Sequence, residues 1–380
     1  MQSFTPRRSV LGLMAAMPFL SHTKAYSQDA GAIKIGQSVA LTGPLGDLGQ
    51  AIHQGAKACF AAINAKGGVN GRAIELVALD DGYDVKRALA NIKTLTDERS
   101  TFALFNCMGT PMIEAMLPKV LESGVPFFAP FTGALVSRPK GAKNIFNIRA
   151  SYAEEAEQLV RHLATIGIKR IGIAYQNNAF GKEVFNATQD AVAKYKLEAV
   201  SVATVESNAS DAASAATKIA TSSPDIVLLG LAGKPTIEFI KAIRAQRKSL
   251  PLYALSIMGS SATLKAIGED AVGIAISQVV PLPGNTKVPL VRDFQQAWKE
   301  AGSTLEPSHV ALEGYVNARV FAEVLRRTGR NPTRAGFIES AWNMKRYDLG
   351  GFEVGFADSS KNASQFVELT MVSREGRFIR

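Results

Sequence analysis

The chain is short of the residues from which most catalytic and metal centres are made. It has two cysteines and four histidines in 380 residues. His22, His53, His162 and His309 fall in an apolar leader or on expected helices, and none has metal-ligand spacing with another, so no metal site is expected. A Gly-x-Ser-x-Gly elbow, a Walker loop and the dinucleotide fingerprint in its strand–helix context are all absent, so neither an enzyme nor a bound cofactor is expected. Two cysteines do not make a disulfide framework. Cys59 shares a helix face with Ile52, Ala56, Phe60 and Ile63 and reads as a small core residue. Cys107 stands in a polar turn with no histidine placed to activate it. A bridge between the two is permitted in an oxidising compartment and is left open by the sequence.

Long hydrophobic runs are also missing beyond the start of the chain, where nothing approaches the ~20 apolar residues that a spanning helix needs. The start itself reads as a secretory signal peptide over residues 1–27. Arg7-Arg8 precedes the apolar run Val10–Leu20, and Thr23-Lys24-Ala25 supplies small residues for cleavage. The paired arginines loosely match a twin-arginine export signal. A soluble, periplasmic mature protein is expected. Its loss of Arg7, Arg8 and Lys24 lowers the formal net charge from +10 to +7. The remaining excess is scattered and lacks interleaved aromatics, so no nucleic-acid partner is expected. The length suits about two domains.

What the chain has in quantity is strand–turn–helix punctuation, and the stretch from Thr101 to Gly133 is its centre. Thr101–Asn106 is a short apolar strand. Thr110 is placed to cap a helix with Pro111 at its first position. Ile113, Met116, Leu117, Val120 and Leu121 follow at helical spacing, with Pro118 expected to kink the helix and Gly124 to end it. Val125–Pro130 is the next buried strand. Such a βαβ unit sets the turns 106–110 and 131–134 side by side at the carboxyl edge of a parallel sheet, where open α/β sheets bind ligands. Small residues, threonine hydroxyls and backbone N–H groups at a helix start suit a small anion.

The same rhythm runs on both sides of this unit. Ile33–Leu41, a glycine-rich turn, a helix from Gln50 to Lys66, the strand Ala73–Leu79 and a helix from Val85 precede it. Asp80-Asp81 reads as a solvated strand end or helix cap. A second series begins at Ser151, which with Glu154 makes a capping box. Strands then follow at 169–175, 198–205, 225–231 and 250–258, separated by helices. The tail adds helices at 291–301, 310–328 and 333–343, and Phe352–Phe356 with Phe366–Met371 read as a terminal antiparallel hairpin. The expected fold is α/β, with two doubly wound parallel-sheet lobes joined by a hinge of three crossings. Residues 28–149 with 280–349 are assigned to one lobe, and 150–279 with 350–380 to the other.

The chain resembles the leucine/isoleucine/valine-binding protein family, the type I periplasmic substrate-binding proteins of ABC transporters. The resemblance runs from about Ile33 to Phe366. It is carried by AINAKGGVNGRAIELVALDDGYD at 61–84, GTP and GVPFFAPFTGA within 109–134, KRIGIAYQNNAFGKE at 169–183, PDIVLLG at 224–230 and LEGYVNARVF at 312–321. It implies a monomeric binding protein that encloses a ligand between its lobes and delivers it to a membrane permease. A periplasmic sensor or regulator subunit of the same fold is the alternative.

Carried over position by position, the resemblance implies that a ligand carboxylate meets Cys107, Met108, Gly109 and Thr110 in one turn and Phe131, Thr132 and Gly133 in the other. Phe180 would pack on the ligand from the second lobe, and Phe128, Phe131 and Met108 would add an apolar wall. Relatives that bind amino acids meet the ligand ammonium with an acid and a tyrosine, where this chain has Ser256 and Leu231-Ala232. Glu238 is expected to face solvent, which leaves Asp47 as the one acid able to approach the cleft. A cysteine pair bridged in some relatives is matched here by Tyr83 and Asn106. The expected ligand is therefore a small carboxylate, an aromatic, aliphatic or oxo acid, rather than a branched-chain amino acid.

Overall fold

The computed structural model describes residues 1–3, 31–258 and 260–380. Most of the expected leader, with Arg7, Arg8 and His22, lies outside the described residues. The first series is β1 (Ile33–Val39), α1 (Gly46–Ala65), β2 (Ile74–Asp80), α2 (Val85–Lys93), β3 (Ala103–Phe105), α3 (Thr110–Ser123), β4 (Phe127–Phe128) and β5 (Ile145–Phe146). Its strands form one sheet in the order β2-β1-β3-β4-β5, every pairing parallel. The runs ALF and FF are buried at every position, as strands covered on both faces by helices must be.

The second series is α4 (Tyr152–Thr165), β6 (Arg170–Gln176), α5 (Ala179–Lys194), β7 (Glu198–Val205), α6 (Ala212–Thr221), β8 (Ile226–Gly230), α7 (Lys234–Gln246), β9 (Leu252–Ala254), α8 (Ser261–Ile267) and β10 (Ala275–Gln278). The chain then supplies α9 (Pro289–Glu300), α10 (His309–Thr328), α11 (Arg334–Asn343), β11 (Tyr347–Asp348), β12 (Glu353–Val354), β13 (Glu368–Val372) and β14 (Phe378–Ile379). The second sheet runs β14-β13-β10-β9-β8-β6-β7, with β13 and β14 antiparallel at one edge. Among the described residues no helix is long and apolar enough to cross a membrane.

The chain returns to the first sheet after β10. Helix α10 lies against α1 so closely that a Cβ on Gly55 would come within 1.9 Å of the Ala311 carbonyl oxygen. One on Gly314 would come within 2.1 Å of the Ile52 carbonyl oxygen, so glycine is required on both sides of the contact. Phe105, Phe128, Phe146, Phe321, Phe337 and Phe356 fill the core behind this sheet, with Phe128 and Phe356 5.9 Å apart between ring centres. That packing corrects two expectations. Phe128 lies in this core and does not reach the wall of the ligand cleft. Residues 352–363, placed in the second lobe from the sequence, pack with the first sheet, and Ala363 N donates to the Asn147 carbonyl at 2.8 Å. The third crossing falls after residue 363 rather than near Gly350.

The expected pairing of 352–356 with 366–371 is also overturned. Glu353–Val354 pairs with Tyr347–Asp348, while Glu368–Val372 joins β10 and the unanticipated β14. Alternation marked both segments as strands but carried no information about partners. The helices themselves follow their sequence signals closely. Gly124 ends α3 in the left-handed region at φ 62°, and Ser151 with Glu154 completes the capping box of α4. Helix α3 runs unbroken past Pro118, and α1 starts at Gly46 rather than Gln50.

Candidate functional site

The parallel pairing of β3 with β4 brings the two central turns together, and an isolated bridge joins Met108 to Phe131. Met108 N donates to the Ser38 carbonyl at 3.0 Å, Phe131 N to the Cys107 carbonyl at 2.8 Å, and Gly109 N to the Phe131 carbonyl at 3.3 Å. Gly109, not Thr110, occupies the cap of α3, with φ at 95°. A side chain there would collide with Met112 Cε at 2.2 Å and the Tyr83 ring at 2.8 Å. Thr110 becomes the first helical residue, and its Oγ1 lies 2.7 Å from Thr132 Oγ1. Thr132 Oγ1 also accepts from Ala134 N at 3.1 Å, and Tyr152 N donates to the Gly133 carbonyl at 2.8 Å. The amides of Thr110 and Gly133 take no part in these bonds. They and the threonine pair are polar groups of the two turns, and of them Thr110 lines the cavity.

Across from these turns stand Phe180 at the start of α5, Ala232 after β8 and Ile257 after β9. With Leu45, Leu48, Tyr83, Met108, Gly109, Thr110, Phe131 and Tyr152 they line a cavity of about 20 Å³. That is room for roughly one water molecule. Tyr152 meets Phe180 edge to face with ring centres 5.4 Å apart. Six expected site residues therefore touch the cavity: Met108, Gly109, Thr110, Phe131, Phe180 and Ala232. Thr132 and Gly133 sit just behind it. Cys107 is buried in the core under α3, and burial pushes its thiol up to about 12, which leaves no thiolate for nucleophilic chemistry. Both described cysteines are free, so the bridge left open by the sequence does not form.

Ser256 is displaced from the ligand side into a buried ion cluster. Glu155 accepts from Ser256 N at 2.9 Å, Ser256 Oγ at 3.0 Å, Ser277 Oγ at 2.6 Å and Arg149 Nη2 at 3.1 Å. Arg149 Nη1 also faces Glu313 Oε1 at 3.6 Å. All three charged side chains are at most 5% exposed, so each depends on the others for solvation. Glu155 thus accepts four hydrogen bonds. Burial, opposed by Arg149, pushes Glu313 up to about 7. The Arg149 guanidinium lies 5.3 Å from the centre of the Phe131 ring and 5.7 Å from that of Tyr152, directly beneath two walls of the cavity.

A second buried arginine braces the turn at 131–134. Arg138 Nη1 donates to the Ala134 carbonyl at 2.8 Å and to the Thr132 carbonyl at 3.4 Å, while Nη2 donates to the Arg149 carbonyl at 3.0 Å. Burial, reinforced by Arg149, lowers its pKa to about 10, which still leaves it cationic at neutral pH. The sequence reading missed both arginines, as well as Tyr83, Tyr152, Leu45, Leu48 and Ile257. One signal was available: Arg149 stands alone in the small and apolar run between Ile148 and the capping box. Asp47 does approach the cleft, as expected, but its carboxylate is taken by the hydroxyls of Ser260 and Thr263 across it, the latter at 2.9 Å. Glu238 is exposed.

A largely apolar cavity between the edges of two mainly parallel sheets, with three chain crossings behind it, is how a two-lobed solute-binding protein is built. Residues 32–377 match the family described as Periplasmic binding protein, and the chain belongs to that family, whose members are substrate-binding proteins rather than enzymes. It is 31% identical to a substrate-binding periplasmic protein from Ralstonia solanacearum, over 91% of this chain and 99% of that one, with a TM-score of 0.86. A Leu/Ile/Val-binding protein homolog 7 from Brucella abortus is 23% identical over 309 residues, covering 78% of this chain and 77% of that protein. The fold is also shared with an ABC transporter solute-binding protein from R. palustris, in complex with benzoate, at 20% identity and a TM-score of 0.82 over 92% and 95% of the two chains.

Proposed function

We propose that the cleft captures a small organic acid lacking an α-ammonium group, such as an aromatic, short aliphatic or oxo acid, for delivery to the membrane permease of an ABC importer. The observation that carries this reading is that the acids approaching the cavity are engaged within the protein, Asp81 among them through Ser38 Oγ at 2.8 Å and Tyr83 N at 2.9 Å. Glu155 and Glu313 face Arg149, and Asp47 bonds Ser260 and Thr263. An ammonium buried there without an anionic partner costs several kcal/mol. A carboxylate is met differently. The Thr110 and Gly133 amides and the threonine hydroxyls offer donors worth ~1.5–3 kcal/mol each to a charged acceptor. Two such bonds with apolar burial suffice for roughly micromolar affinity, about −8 kcal/mol. The buried Arg138 behind the same turn adds a field of the right sign. The benzoate bound by the R. palustris protein is an acid of this class.

In this reading residues 32–149 with 280–363 move as one lobe, and 150–279 with the C-terminal strands as the other. A cavity of about 20 Å³ admits no such ligand, so the lobes must part for loading. A thermal-shift panel tests the ligand class by comparing leucine, isoleucine, valine and phenylalanine with their keto-acid counterparts and benzoate. Stabilisation by the deaminated acids is expected; stabilisation by the amino acids alone would overturn the reading.

A further inference from the structure

Arg149, Glu155 and Glu313 come from three separated places in the chain: the first crossing between the sheets, helix α4 and helix α10. Their meeting point lies beneath Phe131 and Tyr152, whose rings line the ligand cavity. Nε and Nη1 of Arg149 have no hydrogen-bond acceptor, although the side chain is 2% exposed. The guanidinium thus neutralises the acids at this spot while leaving hydrogen-bonding capacity unused. Two carboxylates converging in a buried place create a strong site for a cation. Here the chain fills that site from within.

We propose that Arg149 determines the charge of the ligand that the cleft accepts, by occupying as part of the protein the cation position that Glu155 and Glu313 create. This rests on the reading of the cleft as a site for an ammonium-free acid and goes further by naming the residue that enforces it. With Arg149 in place, an amine has no unpaired acid to meet, and an acid on the cavity side of Phe131 and Tyr152 sits over a fixed positive charge. Without Arg149, two carboxylates face an emptied space beside the cavity, and the selectivity inverts.

Three variants test the proposal. Arg149→Ala opens the cation position. Its melting temperature is expected to rise with millimolar methylguanidinium and not with the neutral isostere methylurea, while the wild type responds to neither. Benzoate and benzylamine then read the selectivity by calorimetry or thermal shift. The wild type is expected to prefer benzoate; Arg149→Ala is expected to bind benzoate at least tenfold more weakly and to gain measurable binding of benzylamine. Arg149→Lys, which keeps a cation at the position, is expected to retain the wild-type order. An Arg149→Ala protein that melts as a folded chain, ignores methylguanidinium and keeps the wild-type preference would overturn the proposal.

Should Arg149→Ala not fold with or without methylguanidinium, Glu313→Gln decides. It removes one negative charge and leaves the Arg149–Glu155 pair intact, so benzoate affinity at pH 8 is expected to rise at least threefold, and an unchanged affinity would overturn the proposal. A wild-type protein that prefers benzylamine would instead refute the organic-acid reading itself. A wild type that prefers benzoate, paired with an Arg149→Ala variant that also does, refutes only the role given to Arg149.

Discussion

The two sheet edges that face each other across the cleft are built on opposite plans. On the first, the polar groups of the turns flanking α3 and β4 come from a short continuous piece of chain, and in the proposed function backbone and hydroxyl groups there would meet the ligand. On the second, the cavity is lined by apolar or small side chains, Phe180, Ala232 and Ile257, while the polar groups have turned away into the cluster around Glu155. One edge offers donors; the other offers shape and hides its charges. A binding site can thus be selective by where its charges are already spent, as much as by those it presents.

The largest effect is expected where the hidden charges are disturbed. Glu155→Ala leaves Arg149 and three hydrogen-bond donors without their acceptor, and loss of one partner from a buried ion pair typically costs about 3–5 kcal/mol. Chemical denaturation measures this. A loss under about 1 kcal/mol would mean that the cluster is wetter than its geometry implies.

Next in size is the pH response of the same cluster. Glu313 is pushed up to about 7, well above the ordinary carboxyl value of 4.5, so between those two values the folded state holds a proton that the unfolded state has released. Its contribution is favourable below about pH 4.5 and is lost as pH rises through 7. Glu313→Gln should therefore stabilise the protein relative to wild type, by about 1–3 kcal/mol more at pH 8 than at pH 5. His53 and His309, lowered to about 4 and about 3 by burial, act in the opposite direction, since stability rises as they stay neutral while the unfolded imidazoles lose their protons. The comparison must for that reason be made against the variant and not from the wild-type profile alone. An equal effect at both pH values would contradict the assignment.

The donor edge is tested by Thr132→Val. Its hydroxyl pairs with Thr110 and accepts from Ala134 N, so a stability cost of about 1–3 kcal/mol accompanies the expected tenfold or greater loss of acid binding. Calorimetric titration with wild-type affinity would remove Thr132 from the site. The smallest effect belongs to the contact between the edges. Asp47→Ala removes the bonds to Ser260 and Thr263, and small-angle scattering is expected to show a slightly larger ligand-free particle that contracts when a bound acid is added. Identical profiles for variant and wild type would show that these bonds do not hold the cleft shut.

The same contrast explains what the sequence could tell. The donor edge was legible because its signals are local: a threonine before proline, a glycine stop and short apolar runs on either side. Only the cap slipped by one residue, because Gly109 can adopt the positive φ of that position and threonine cannot do so without strain. The two lobes were legible from alternation of element types. The partners of late strands were not, since Glu353–Val354 and Glu368–Val372 carry similar patterns and join different sheets. β10, with the sequence AISQ, hid a fully buried strand behind two polar residues whose side chains find partners only after folding. The ion cluster was the least legible of all. Arg149 and Glu155 are six residues apart, but Ser256, Ser277 and Glu313 arrive from more than a hundred residues away, and no spacing announces them.

The most direct test of the central claim is the small molecule that the protein itself selects. Protein purified gently from the cells that make it would be denatured, and the released low-molecular-weight fraction analysed by mass spectrometry. A carboxylic acid without an amino group is the expected result; a stoichiometric free amino acid, leucine or phenylalanine for example, would contradict the account.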